Sequence, residues 1–213
     1  MPSSPWSPEQ ALTPEQAALA RAAGPCLGDW GLLLAGGTAL SCHLGHRRSR
    51  DLDWFGPVPE TATILRVFPG AVVERDEHQP GRHVILRCPG TKVELVGATM
   101  RHEGKVEILP GVAIPALEEC AAMKMAAAIN RGRRRDLVDV AFLLRHGYTA
   151  ASLCDLVVAR FPGRIARVDC IKRFLLFRTR PLWDGQAPVD LIVPEDVDGL
   201  VTFAESAFAR LMP

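Results

Sequence analysis

The run Gly36-Gly37-Thr38-Ala39-Leu40-Ser41-Cys42-His43-Leu44-Gly45-His46-Arg47-Arg48-Ser49-Arg50-Asp51-Leu52-Asp53 decides how the rest of the chain is read. Just before it, Leu32-Leu33-Leu34-Ala35 is a short apolar run with the pattern of a buried strand. Two glycines then let the backbone turn sharply and come close to a ligand. Thr38 is placed to cap a helix over 39–45, in which Leu40 and Leu44 share a face. A helix that starts on such a turn offers free N–H groups and the positive end of its dipole, a setting suited to phosphate. Gly36, Gly37 and Thr38 are therefore candidate phosphate binders.

After that helix the chain returns as Asp51-Leu52-Asp53-Trp54-Phe55, an alternation that predicts a strand. Residues two apart on a strand point the same way, about 7 Å apart by strand rise. Asp51 and Asp53 thus share one face, and Leu52 and Trp54 turn to the core. Two carboxylates fixed side by side suit a pair of Mg²⁺ ions held about 4 Å apart, as in phosphoryl transfer. The plainer reading is a surface strand with two solvated acids beside basic residues. The Gly-Gly-Thr turn one helix upstream favours the site. Arg47 or Arg48 can clamp a phosphate bidentately, or pair with Asp51 in a structural role. His43 falls near the Leu40–Leu44 face and reads as packed.

The run GGTALSCHLGHRRSRDLDWF resembles the signature of nucleotidyltransferases of the DNA polymerase β superfamily. Within it, the match is to the abortive-infection AbiEii/AbiGii toxin-type proteins. In those, a Gly-Gly-Thr/Ser turn, a His-Arg-x-Ser segment and Asp-x-Asp recur in this order. The resemblance covers residues 31–55, returns at 115–144 and is thin elsewhere. There, AAMKMAAAINRGRRRDLVDVAFLL resembles the family's C-terminal motif: a Lys on one helix, Arg-Gly with basic residues, then Asp-x-x-Asp.

That resemblance implies an NTP substrate, two Mg²⁺ ions and transfer of an NMP to an acceptor hydroxyl. It also implies a toxin of a toxin–antitoxin or phage-defence pair, with tRNA as one acceptor and a cognate antitoxin as partner. Lys124 and Asp136, and less directly Asp139, are implicated in nucleotide handling. The alternative for these three is an ion-pair network joining two helices. The superfamily usually brings a third carboxylate, an Asp, from a neighbouring strand. In Lys92-Val93-Glu94-Leu95-Val96 the alternation puts Glu94 at that place, as a third metal ligand with Asp51 and Asp53. Against this stands a strand Glu paired with Lys92.

Composition sets wider limits. With 213 residues, 48% hydrophobic and 23% charged, the chain resembles an ordinary soluble globular protein with a real core. A net charge of +1 favours no nucleic-acid partner by itself, so any such contact must come from local patches. Arg131 to Arg135 and Lys172, Arg173, Arg178 and Arg180 are the densest ones, able to touch RNA backbone or simply to be solvated. No apolar run nears the roughly 20 residues of a bilayer span. MPSSPWSPEQ lacks the pattern of a signal peptide, so a cytoplasmic location is expected. Six scattered cysteines without Cys-x-x-Cys fit reduced, mostly buried thiols.

In chain order, Thr13-Pro14-Glu15-Gln16 opens a helix expected to end near Gly24-Pro25. A helix over 58–68 follows, then strands at 71–75, 83–87 and 92–96, with turns over 75–81 and 88–91 between them. From Ile114 the pattern is helical, with a break at Gly132 and further helices over 133–146, 151–160, 164–177 and 196–211. These readings predict an α+β fold: a polymerase β-like core with a small mixed sheet and flanking helices over 1–112, then a helical half over 113–213. Two alternatives stay open. One is a nucleotide- or partner-binding member without turnover, and the other a small-molecule, antibiotic-type nucleotidyltransferase.

Overall fold

The computed structural model describes residues 8–78, 82–176 and 186–212. It divides into two units, one up to Leu117 and one from Glu118. Of the turn predicted over 75–81, residues 75–77 continue the preceding strand instead, paired with its antiparallel neighbour, and Gln79-Pro80-Gly81 lie outside the described residues, as do Arg178, Arg180, Pro181 and Gly185.

The first unit opens with a 3-10 turn, Pro8–Ala11, and α1 (Pro14–Asp29). The capping box read from sequence forms: the Gln16 amide donates to Thr13 Oγ1 at 3.2 Å and the Thr13 amide to Gln16 Oε1 at 2.9 Å. The helix does not stop at Gly24-Pro25; it runs on to Asp29 with Pro25 inside. A proline normally breaks a helix because it lacks the N–H and crowds the preceding turn. Here tertiary packing overrides that preference. A Cβ on Gly24 would strike the Val112 side chain, and Gly111 lies against Pro25, so this stretch of helix is the floor for the turn at Gly111.

Then come β1 (Leu33–Leu34), α2 (Gly36–Leu44), β2 (Asp51–Gly56), α3 (Thr61–Val67), β3 (Val72–Glu77), β4 (His83–Cys88) and β5 (Thr91–Gly97). Five strands form one sheet in the order β1-β2-β5-β4-β3. β2 runs parallel to β5 and the other neighbours are antiparallel, so the sheet is mixed as predicted. Leu52, Trp54, Val84, Leu86, Val93 and Leu95 all point into the core from one face. The opposite face carries the polar residues of the same strands, because successive side chains alternate. A separate hairpin, β6 (Val106–Leu109) and β7 (Val112–Ile114), was not foreseen. Segments of four and three residues are too short for a period-2 pattern to declare them.

The second unit is helical: α4 (Leu117–Arg131), α5 (Arg134–Arg145), α6 (Ala150–Arg160), α7 (Arg167–Leu176) and α8 (Val197–Ala209). Gly132, with φ of 56°, separates α4 from α5 where the sequence expects a break. α8 packs on α5 and α7, and the Phe174 and Phe208 rings stack with centroids 4.0 Å apart. The fold is thus α+β with a helical C-terminal half. Five of the six cysteines are buried and Cys26 is exposed, all as free thiols. Among the described residues no helix is long and apolar enough to cross a membrane.

Candidate active site

The polar face of the sheet begins where β1 hands over to α2. The Ala35 amide donates to the Asp53 carbonyl at 2.7 Å, which holds the two strands together at the turn. Gly36 follows with φ of 60°, a left-handed conformation that residues with a Cβ rarely adopt. A Cβ at this position would also collide with the Asp53 carboxylate. The glycine is what lets that carboxylate lie against the first turn of α2, near the positive end of the helix. At Gly37 a Cβ would come within 2.5 Å of the Arg47 guanidinium. The two glycines therefore make room for one anion and one cation.

Thr38 is not the cap. The left-handed turn at Gly36 lets α2 begin there, with Ala35 at the cap position and no capping side chain. Thr38 is buried in the first turn, and its hydroxyl donates to the Asp51 carbonyl oxygen at 2.7 Å. Ser49 Oγ donates to the same oxygen at 3.3 Å. The loop before β2 is stapled further. Gln16, already in the capping box, donates from Nε2 to the Ser49 carbonyl at 3.2 Å, and the Ser49 amide donates to the Ala11 carbonyl at 3.2 Å. Arg47 is buried with NH1 on the Arg48 carbonyl at 3.2 Å, whereas Arg48 is exposed. His43 is packed, with Nε2 2.8 Å from the Pro115 carbonyl oxygen.

Asp51 and Asp53 sit on one face of β2, each half-buried, with Leu52 and Trp54 buried between and beyond them. In the parallel pairing to β5, Asp51 is level with Lys92 and Asp53 with Glu94. Glu94 thus arrives beside Asp53, as the sequence expects. Its oxygens are already engaged: Oε1 by the Lys92 ammonium and Oε2 by His83 Nε2 at 3.0 Å. Burial alone would raise the Glu94 carboxyl, but Lys92 and then His83 outweigh it and hold it below the usual glutamate range. Hence the Glu94–Lys92 pair read as the alternative is present, and His83 joins it. Among the described residues no three of His, Cys, Asp or Glu are gathered closely enough to hold a cation. The Asp51 and Asp53 carboxylates are hard oxygen donors on one face of β2, and a Cβ at residue 36 would strike the Asp53 carboxylate. That donor pair fits a hard divalent cation whose remaining positions go to substrate oxygens and water.

The second constellation belongs to the helical unit. Lys124 Nζ lies 3.0 Å from Asp136 Oδ1 and 2.9 Å from Asp139 Oδ2. Arg131 adds Nε to Asp136 Oδ2 at 2.8 Å and NH2 to Oδ1 at 3.1 Å. Both aspartates have 0% exposed surface and Lys124 has 5%. Burial pushes the Asp136 carboxyl up, but Lys124 and Arg131 more than reverse this and leave it below the ordinary range. The i, i+3 spacing on α5 aims both acids at one ammonium from α4, which is the ion-pair network the sequence allowed as the alternative. Of the neighbouring arginines, Arg134 pairs with Asp198.

His83 and Gln16 are the residues that sequence reading missed at this site. Gln16 carried a signal only for its cap. His83 carried none, because its contact with Glu94 depends on the register of β4 against β5.

Comparison with known proteins places this geometry. The family described as Nucleotidyl transferase AbiEii toxin, type IV TA system, matches residues 19–198. The uncharacterized protein aq_aa25 of Aquifex aeolicus (strain VF5) is 32% identical over 136 residues, covering 60% of this chain and 65% of that protein. Two crystal structures share the fold. A candidate nucleotidyltransferase from H. pylori superposes with a TM-score of 0.53 at 20% identity, over 93% of this chain and 95% of that one. JHP933 from Helicobacter pylori gives 0.54 at 21% identity, over 95% and 91%. The family match spans most of the chain, and this chain belongs to the AbiEii family of nucleotidyl transferase toxins of type IV toxin–antitoxin systems.

Proposed function

We propose that the protein transfers a nucleoside monophosphate from an NTP to an acceptor hydroxyl of tRNA in a Mg²⁺-dependent reaction, in the cytoplasm and under control of a cognate antitoxin. The observation that supports this best is the Asp51–Asp53 pair on one sheet face, with Asp53 admitted to the start of α2 only because residue 36 is glycine. Bound Mg²⁺, two ions in this reading, supplies charge that offsets the triphosphate and acidifies the acceptor hydroxyl. Asp51 and Asp53 hold those ions. The free N–H groups at Gly36 and Gly37 receive the β- and γ-phosphates. Arg48, exposed beside the turn, is the guanidinium that would meet a phosphate, while buried Arg47 steadies the turn. Thr38 works through position, fixing the strand that carries Asp51. In the transfer, a bond forms from the acceptor oxygen to the α-phosphorus, the bond to pyrophosphate breaks and pyrophosphate leaves, and the hydroxyl proton passes to water.

Glu94 would join the ligands only by giving up Lys92 and His83. That engagement favours a second reading, a nucleotide- or partner-binding member with little turnover. Lys124 and Asp136, which the resemblance ties to nucleotide handling, have to be tested apart from Asp51 and Asp53. Their mutual pairing already accounts for their burial.

Total tRNA, Mg²⁺ and each α-labelled NTP are incubated separately with the purified protein. Label passing onto RNA with at least one NTP, and lost in the Asp51→Ala/Asp53→Ala variant, is the expected result. Transfer that survives in that variant overturns the mechanism. NTP binding without pyrophosphate release, across tRNA, protein and small-molecule acceptors, selects the second reading.

A further inference from the structure

The helical unit carries a half-open cavity of about 260 Å³ that the proposed chemistry does not use. Its apolar wall comes from Val157 and Phe161 at the end of α6 and from Ile165 in the connection to α7. Arg164, Arg173 and Asn130, all exposed, supply its polar side. The Phe161 ring is held in place: Arg160 lies 5.1 Å from its centroid, and Arg160 Nε is fixed by Glu119 Oε1 at 2.8 Å. Arg173 NH1 donates to Asn130 Oδ1 at 3.4 Å.

Positive charge lines one side of this cavity. Arg131, Arg134, Arg145, Arg160 and Arg167 of the same unit each face a carboxylate. Among the described residues, Arg164 and Arg173 face none. Two unneutralised guanidinium groups on one cavity attract an anion, and their planar forks suit phosphate oxygens. A fixed aromatic ring between aliphatic side chains takes a flat ring, as bases are taken in single-strand sites. The volume lies just below the range of about 300–1,000 Å³ typical of drug-sized ligands, which suits a single nucleotide unit.

We propose that this cavity binds one nucleoside monophosphate unit, with its base against Phe161 between Val157 and Ile165 and its phosphate on Arg164 and Arg173. Asn130 faces the base edge. The unit comes either as a free mononucleotide or as part of a single RNA strand. The site is built within the helical unit and does not require Asp51 or Asp53.

The test uses the full chain carrying Asp51→Ala and Asp53→Ala, so that nucleotide held through those carboxylates does not contribute. AMP, GMP, CMP, UMP, inorganic phosphate and a single-stranded RNA pentamer are titrated by calorimetry. Saturable binding of a mononucleotide or of the pentamer is expected. It should weaken about tenfold or more on adding Arg164→Ala and Arg173→Ala, the scale of charge-assisted hydrogen bonds, with an unchanged melting temperature. Phe161→Leu should weaken the nucleotide but not inorganic phosphate, and Arg164→Glu is the second charge variant should the double alanine lower the melting temperature. Mononucleotide binding assigns the free ligand, and pentamer binding alone assigns the strand. The proposal is overturned by the absence of both, by binding that the arginine variants leave unchanged, or by phosphate that binds as tightly as the nucleotide.

Discussion

Asp51 and Asp53 lie half-buried on an open sheet face, whereas Asp136 and Asp139 have no exposed surface. The residue types are the same and so is the close spacing in sequence. What differs is the partner. The β2 pair is positioned by backbone: the Thr38 and Ser49 hydroxyls hold the Asp51 carbonyl, and the Ala35 amide holds the Asp53 carbonyl. The α5 pair is held by charge, with Lys124 between the two carboxylates and Arg131 on Asp136. Backbone contacts fix where the Asp51 and Asp53 carboxylates stand on the sheet face. Carboxylates neutralised in the interior stabilise a helix pair. Glu94 stands between the two cases, half-buried on the sheet face yet engaged by Lys92 and His83.

The contrast breaks most sharply at the sheet. Asp51→Ala with Asp53→Ala should lower nucleotidyl transfer by about a thousandfold or more, because metal-supplied charge stabilisation is worth several kcal/mol. Urea unfolding should change little. A large loss of stability there would assign the pair a structural role.

Lys124→Met should do the opposite, costing about 3–5 kcal/mol in urea unfolding by taking the buried ammonium from Asp139 and leaving Asp136 with Arg131. Adding Asp136→Asn and Asp139→Asn to it should recover part of that loss. If the triple variant is no more stable than the single one, the network is not what Lys124 supports.

At residue 36, alanine should cost about 1–2 kcal/mol for the left-handed backbone, with further loss from the collision with Asp53. Gly70 has φ of 79° with nothing within 4 Å of a Cβ, so Gly70→Ala is the matched control for strain alone. Equal destabilisation of the two variants would remove the Asp53 niche from the account.

Acid should separate the two regions more gently. The Asp136 carboxyl is held below its ordinary value, so its contribution is fully present above the unfolded value of about 3.9 and is lost as pH falls through the lower folded one. Melting temperature should therefore fall on acidification below about pH 4. Asp136→Asn should flatten that limb while lowering stability at neutral pH. A limb of unchanged steepness in this variant would shift the assignment to Glu94, whose folded value is also depressed.

The smallest effect concerns thiols. Burial pushes the Cys42 thiol up to about 12, and Cys26 is exposed. Iodoacetamide should modify one cysteine quickly, at position 26, without loss of transfer. Rapid modification of Cys42 would show that α2 opens readily.

Much of the site was legible because local rules place it. The alternation in Asp51-Leu52-Asp53-Trp54 names both the acidic and the core face, and the structure keeps both. The Thr13–Gln16 box and the Gly132 break are equally local. The misreadings have a common cause in distant partners. Thr38 reads as a cap until Gly36 starts the helix early and the Asp51 carbonyl takes its hydroxyl. Pro25 reads as a stop until the turn at Gly111 packs against it. Glu94 reads either as a ligand or as the partner of Lys92, and strand register adds His83, which no local pattern announces.

The sequence by itself determined the α+β order, the strand that carries Asp51 and Asp53, the glycine turn beside it and the family. Each of these depends on residues within about one helix or strand of one another, where periodicity and backbone conformation act directly. Only the tertiary structure decided what each charge faces. An ion pair depends on a few ångströms between side chains distant in sequence, and at that range the partner, rather than the residue type, sets whether a carboxylate is a ligand or a buried brace.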